Sequence, residues 1–152
     1  MIDRKLAELG LELPEAAKPS FLYVTVVVHG HVAYVSGQLP KVGGDVRTTG
    51  KVGAEVGMDD AREAARICVL QALAALREAL GSLDRVERIL RVNGYVASAP
   101  GFNQQPKVID AASELLVRVF GEAGQHARAA VGVAELPRNS PVEIEFTVAV
   151  RP

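Results

Sequence analysis

The sequence predicts an α+β domain in which one β-sheet is covered on one face by two helices. Three observations lead there. The apolar pattern runs strand, strand, long helix, strand, helix, strand, strand, and each of the two longer helices carries a single apolar stripe. The last quarter, His126 to Arg151, reads as two strands of period-two alternation separated by a proline-rich link. The chain has 152 residues, enough for one domain that buries roughly 70% of the surface its unfolded form exposes. A single domain over 1–152 is therefore expected, with 1–19 as an N-terminal helix and extended arm.

Taken in order, Ile2, Leu6 and Leu9 fall on one helical face, and Gly10 follows as a stop. Pro14 and Pro19 keep Leu11 to Pro19 extended. Leu22 to Val28 and Val32 to Gln38 are dense in β-branched residues, and His29-Gly30 between them suits a tight hairpin. Glycines at 43, 44, 50, 53 and 57 mark Pro40 to Gly57 as a long loop, with room for a short strand near Val46. Within it, Gly44 to Val52 fails as a phosphate loop: the spacing is one residue too long, and Val52 stands where a metal-binding hydroxyl is required. Asp59 or Asp60 can cap a helix that runs to Leu80 and stops at Gly81. Its stripe of Ala61, Ala65, Cys68, Ala72 and Leu76 implies close approach to a sheet, with Cys68 a small core residue. Ile89 to Ala97 predicts the third strand, with both faces partly covered. Pro106 begins a second helix, whose stripe is Ile109, Ala112, Leu116, Val119 and Phe120 and whose stop is Gly121.

In Val142 to Val150 the even positions are apolar, while Glu143, Glu145 and Thr147 occupy the other parity. In Ala127 to Ala134 the odd positions are apolar, and Arg128 stands among the small residues Ala130 and Gly132. That pattern admits two readings of Arg128. It is either a solvated arginine on a wet strand face or a planar fork with room beside it for a flat carboxylate. In the second reading Glu143 or Glu145 supplies an acceptor able to hold a water. A simple hairpin would not set Arg128 opposite Glu143, so either the sheet order differs or a neighbouring chain completes the site.

The string Arg128-x-x-Val131-x-Val133-x-x-Leu136-Pro137, followed by Val142-Glu143-Ile144-Glu145, resembles the C-terminal signature of the RidA (YjgF-type) family. Tyr34-Val35-Ser36-Gly37-Gln38-Leu39-Pro40 resembles its early SGQ signature. The two signatures occur in the right order, and the resemblance spans Tyr23 to Val150. It implies a chorismate-mutase-like (YjgF-like) α+β fold, a homotrimer with clefts between subunits, and hydrolytic deamination of reactive 2-imino and 2-enamino acids to 2-keto acids. By that resemblance Arg128 matches the carboxylate-gripping arginine and Glu143 the glutamate that orients water. Tyr23 matches a cleft tyrosine, and Ser36 and Gly37 match the segment lining the pocket. Two departures stand out. Ala130 replaces a frequent cysteine, and Phe21-Leu22 precedes Tyr23 where Gly-Pro is usual. Asn93 and Gly94, small for a central strand, are read as widening the pocket, with a structural amide the equal alternative for Asn93.

Composition narrows the partners. Seventeen Lys and Arg against eighteen Asp and Glu give no basic face for nucleic acid. The endoribonuclease name once attached to the family therefore finds no support in a basic groove or a His-Lys-His set. One cysteine forms no internal disulfide, no leader or membrane span is evident, and a soluble cytoplasmic protein is expected. His29 and His31 lack a third ligand at metal-binding spacing, so neither metal nor other cofactor is expected. The expected partner is a small carboxylic acid. Hydrolysis of an imine and non-catalytic sensing of such an acid both remain open, since Arg128 serves either.

Overall fold

The apolar spacing of Ile2 and Leu6 forms helix α1 (Ile2–Glu8), ended at Gly10 with φ 69°, in the computed structural model, which describes residues 1–19 and 21–152. The backbone N–H of Ile2 donates to Asp84, and Leu6 is buried, so this helix is pinned to the body rather than trailing from it. The arm that follows, residues 11–19, has no regular secondary structure.

Strands β1 (Val26–His29) and β2 (Val32–Gln38) form the expected hairpin, with Gly30 at φ 61° in the turn. The first strand is shorter than its β-branched run predicted. Residues 21–25 leave the sheet, because past Val35 the partner strand bulges and no longer presents a regular ladder. Two-residue strands β3 (Lys41–Val42) and β4 (Asp45–Val46) close a small hairpin in the glycine-rich loop.

Helix α2 (Met58–Leu80) buries the predicted alanine stripe, with Ala61, Ala65, Cys68, Ala72 and Leu76 all fully buried. Its N-cap is Gly57, not Asp59 or Asp60. Both carboxylates sit in the first turn, where their charge still favours the positive end of the helix dipole. Strand β5 (Val86–Ala97) feeds helix α3 (Gln105–Phe120), which returns the chain to β6 (Ala127–Val133), parallel to β5; β7 (Val142–Val150) then inserts between β2 and β5. The sheet order is β1-β2-β7-β5-β6, with every neighbouring pair antiparallel except β5 and β6. The last two strands are thus not a hairpin, since β5 lies between them.

Helices α2 and α3 cover one face through Ile144, Phe146 and Val148 of β7 and Ile89, Val92 and Val96 of β5. Ile89 shares this face with Val92 despite its opposite parity, because β5 carries bulges on either side of it that reset the alternation. The other face is uncovered. Val27, Tyr34 and Val131 remain 50%, 52% and 44% exposed on it. No described helix is long and apolar enough to cross a membrane.

Three sequence expectations are resolved here. Gly94 does not widen a pocket: a Cβ there would lie 2.5 Å from the Ile109 side chain, so the glycine lets α3 seat on the sheet. Asn93 is a structural amide that donates to Glu145. On β6 the small residues beside Arg128 lie on the helix-covered face and not on a wet one. Arg128, Ala130 and Gly132 lie beneath α3, while Val131 faces outward. The small residues make room for the helix, since a Cβ at Gly132 would meet Gln105 at 2.8 Å.

Candidate active site

The site is built on an irregularity of β2. Val35 pairs with Phe146 and Gln38 with Ile144, so β2 spends one residue more than β7 across the interval holding Ser36 and Gly37. Bulges re-aim side chains and end regular pairing, and this one does both. The backbone N–H of Ser36 donates to Thr25 (2.8 Å), and its hydroxyl donates to the Val24 carbonyl (2.7 Å). Ser36 thereby holds the segment carrying Tyr23 as it departs from the sheet, and acts by positioning.

Gly37 lies under Glu143. A Cβ at Gly37 would come within 2.2 Å of Glu143 Oε2, so any larger residue would displace the carboxylate from where it stands. The two carboxylates of β7 differ in what holds them. Glu145 Oε1 accepts from the Tyr95 hydroxyl and from the Asn93 amide, and the tyrosine's pKa is pushed up to about 12 by that bond and then by burial. Glu143 has no hydrogen-bonded or ionic partner among the described residues. It is half-buried, and burial first, then the charge of Glu145, raise its pKa. A carboxylate whose proton affinity is raised and whose lone pairs are free is suited to take a proton from water and return it.

Around it lies a cleft of about 490 Å³ lined by Phe21, Tyr23, Gly37, Leu39, Lys41, Pro137, Arg138 and Glu143. The predicted residues Tyr23, Gly37 and Glu143 therefore meet in one place, with Ser36 just behind them. Arg128 does not join them. It sits on β6, at the far edge of the sheet from β1, and on the helix-covered face, whereas Glu143 faces the open side. Its Nη1 donates to Asp110 (2.8 Å) and Ser113 (3.1 Å), and its Nη2 donates to the Pro106 carbonyl (3.3 Å). Of five guanidinium N–H groups, three are engaged and two are left for another partner. Beside it, a wide and open depression of about 670 Å³ runs along α3 between Asp110 and Arg118, without a titratable group free to do chemistry at its centre. His126 is turned inward. Its Nδ1–H donates to the Gly124 carbonyl and its Nε2 accepts from Ser113, and burial, only partly offset by that carbonyl bond, lowers its pKa. His29 and His31 are exposed beside the hairpin turn.

Sequence reasoning did not single out Lys41 or Arg138 as cleft residues. Lys41 belongs to a strand two residues long, below the reach of periodicity. Arg138 lies in a link that read only as a turn, and its backbone is left-handed (φ 56°), as is that of Asn139. Two successive non-glycine residues in that region are a mark that coordinates reveal and composition does not.

A bulged SG segment beneath a glutamate, on a mixed sheet backed by two helices, defines a chorismate-mutase-like α+β protein. The model of the family described as "YjgF/chorismate mutase-like, putative endoribonuclease" matches residues 3–148, and the chain belongs to this YjgF (RidA-type) family. It is 47% identical over 146 residues to Protein TCP17 of Trypanosoma cruzi, covering 94% of this chain and 90% of that protein. It is 32% identical over 140 residues to a 2-iminobutanoate/2-iminopropanoate deaminase of Dermatophagoides farinae, covering 92% and 94%. The crystal structure of Atu1372, a protein of unknown function from Agrobacterium tumefaciens, superposes with a TM-score of 0.92 at 45% identity, covering 99% of this chain and 92% of that one.

Proposed function

We propose that the protein hydrolyses small 2-imino and 2-enamino acids to 2-keto acids, releasing ammonia, in a cleft that neighbouring copies of the chain complete within a homotrimer. The observation that carries this reading is Glu143: half-buried, free of partners, and laid over Gly37 inside a cleft of substrate size. The relative named as an imine deaminase supports the same chemistry.

An imine is already an activated electrophile, so the machinery required is modest. The water oxygen bonds to the imine carbon as Glu143 takes the water's proton, and Glu143 then passes that proton to the imine nitrogen, giving a carbinolamine and restoring the carboxylate. The C–N bond then breaks as C=O forms, and the hydroxyl proton passes through Glu143 to the leaving amine. Positioning the water and the electrophile in one cleft supplies the rest of the acceleration.

The α-carboxylate is assigned to Arg128 of a neighbouring copy. Within one chain the guanidinium and Glu143 lie on opposite faces of the sheet, and the two N–H groups that Arg128 keeps free match a bidentate carboxylate. The uncovered sheet face bearing Val27, Tyr34 and Val131 favours assembly, because apolar surface of this kind is stabilised by exclusion from water. The lone buried Cys68 suits a reducing compartment such as the cytoplasm.

The test generates 2-iminobutanoate or 2-aminoacrylate in situ and follows keto-acid release. Acceleration by the wild type, lost in Glu143→Gln, is expected. Binding of 2-oxobutanoate without acceleration would replace the enzyme by a sensor of small carboxylic acids, and a monomer at micromolar concentration in light scattering would refute the shared cleft.

A further inference from the structure

We propose that Lys41 and Arg138 form an anion subsite at one end of the Glu143 cleft, so that the preferred substrates carry a second acidic group: 2-imino dicarboxylic acids. This rests on the reading of the cleft given above and names its substrate class.

Both cations line the cleft, and neither is in an ion pair among the described residues. Some cations elsewhere are paired with acids, such as Lys51 with Glu135 and Arg128 with Asp110, and others are not; what sets Lys41 and Arg138 apart is that both line one cleft. Nor do these two serve Glu143. Its proton affinity is raised, through burial and Glu145, as befits a carboxylate that no cation holds. Lys41 and Arg138 instead act on each other, since burial first and then the charge of Arg138 lower the pKa of Lys41. Two like charges brought together at a cleft without a counter-charge repel, and an anionic group arriving between them relieves the repulsion.

Their placement is built from several elements. The Lys41 carbonyl accepts from Gln71 of α2 (2.9 Å), which fixes the start of β3. Arg138 Nη1 donates to the Gly44 carbonyl (3.1 Å) in the turn between β3 and β4, joining the two loops that supply the charges. The left-handed backbone at Arg138 and Asn139 is locked by neighbours, with the Asn139 carbonyl accepting from the Gly50 N–H (2.9 Å). Asparagine tolerates this region, but at Arg138 such a backbone is unfavourable and persists because the surroundings over-determine it. Here the strained link aims a guanidinium into the cleft. Among the cleft's other lining residues, Phe21, Leu39 and Pro137 are apolar and suited to the methylenes that separate two carboxylates.

Calorimetry compares 2-oxoglutarate and oxaloacetate with 2-oxobutanoate as product-like probes, on wild type and on Lys41→Gln, Arg138→Asn and the double variant. Asparagine is chosen because it tolerates the left-handed backbone that Arg138 adopts. The wild type is expected to bind at least one dicarboxylate roughly tenfold or more tightly than 2-oxobutanoate, as one recovered charge-assisted contact allows. The double variant should bring that ratio close to one at an unchanged melting temperature. Binding of 2-oxobutanoate without preference in the wild type would overturn the subsite and leave the imine-hydrolysis reading standing. An undiminished ratio in the double variant, or equal weakening of both acids, would overturn it too. Failure of every acid to bind, together with absence of imine turnover, would sink the cleft reading and the subsite with it.

Discussion

Replacing Gly37 by alanine should disable the protein without unfolding it. The new methyl would sit 2.2 Å from Glu143 Oε2 and 3.0 Å from its Cδ. Ordinary contact begins near 3.4 Å, so the carboxylate must retreat by 3.4 minus 2.2, or about 1.2 Å. It can do so, because it is the free end of a flexible side chain facing an open cleft. Gly37 is absent from the positive-φ residues, so alanine fits its backbone, and the smaller freedom of the unfolded chain favours the variant by about 0.4–1 kcal/mol. Net stability should therefore change by less than ~1 kcal/mol. Catalysis should not escape. Misplacing a catalytic group by 1 Å costs about 10²-fold, which is ~2.7 kcal/mol of barrier. Keto-acid release from in situ imine, measured beside a thermal melt, separates the two effects. A Gly37→Ala protein that turns over like the wild type would refute the role of Glu143, and one that melts far lower would make Gly37 a structural glycine.

Gly94→Ala should show the opposite profile. Its methyl would lie 2.5 to 2.9 Å from three atoms of fully buried Ile109, which cannot swing away, so we expect a loss of about 1–3 kcal/mol in denaturant unfolding with the cleft's ligand affinity retained. Cys68 should resist a bulky maleimide until denaturant is added, because burial first and then the charge of Glu143 push the thiol's pKa well up and its sulfur is fully enclosed; rapid native labelling would contradict this. Glu143 has a pKa raised above the unfolded value of 4.5, so the folded state holds this proton more tightly than the unfolded chain does. Its contribution is present below 4.5 and is lost as pH rises through the folded value. Glu143→Gln should then melt higher than wild type at pH 7–8 by no more than about 2–4 °C, with the gain vanishing at pH 4.

The helices, their stripes and the order of elements were legible because period and glycine stops carry them. The alanine stripe of α2 and the pairing of β1 with β2 are local patterns. What escaped was decided at a distance. Whether the small residues beside Arg128 served a ligand or a helix depended on which face α3 covered, and strand parity is blind to that. That Ile89 shares the covered face with Val92 is invisible to parity, because bulges shift it without leaving a composition signal. Of the cleft lining, Gly37 and Glu143 lie in the two short signatures and Tyr23 within the span of the resemblance, whereas Lys41 and Arg138 reach the cleft only through the fold of two irregular loops.

Arg128 and Glu143 lie on opposite faces of the sheet, so the proposed activity would be a property of pairs of chains. Arg128→Ala and Glu143→Gln should each be inactive alone. Co-refolded in equal amounts, they can meet so that the intact arginine of one faces the intact glutamate of the other. Random assortment places such a pair at roughly one site in four, so about a quarter of wild-type turnover should return. Two defective genes in one cell would then rescue each other, and dilution below the assembly constant would silence even the unmutated protein.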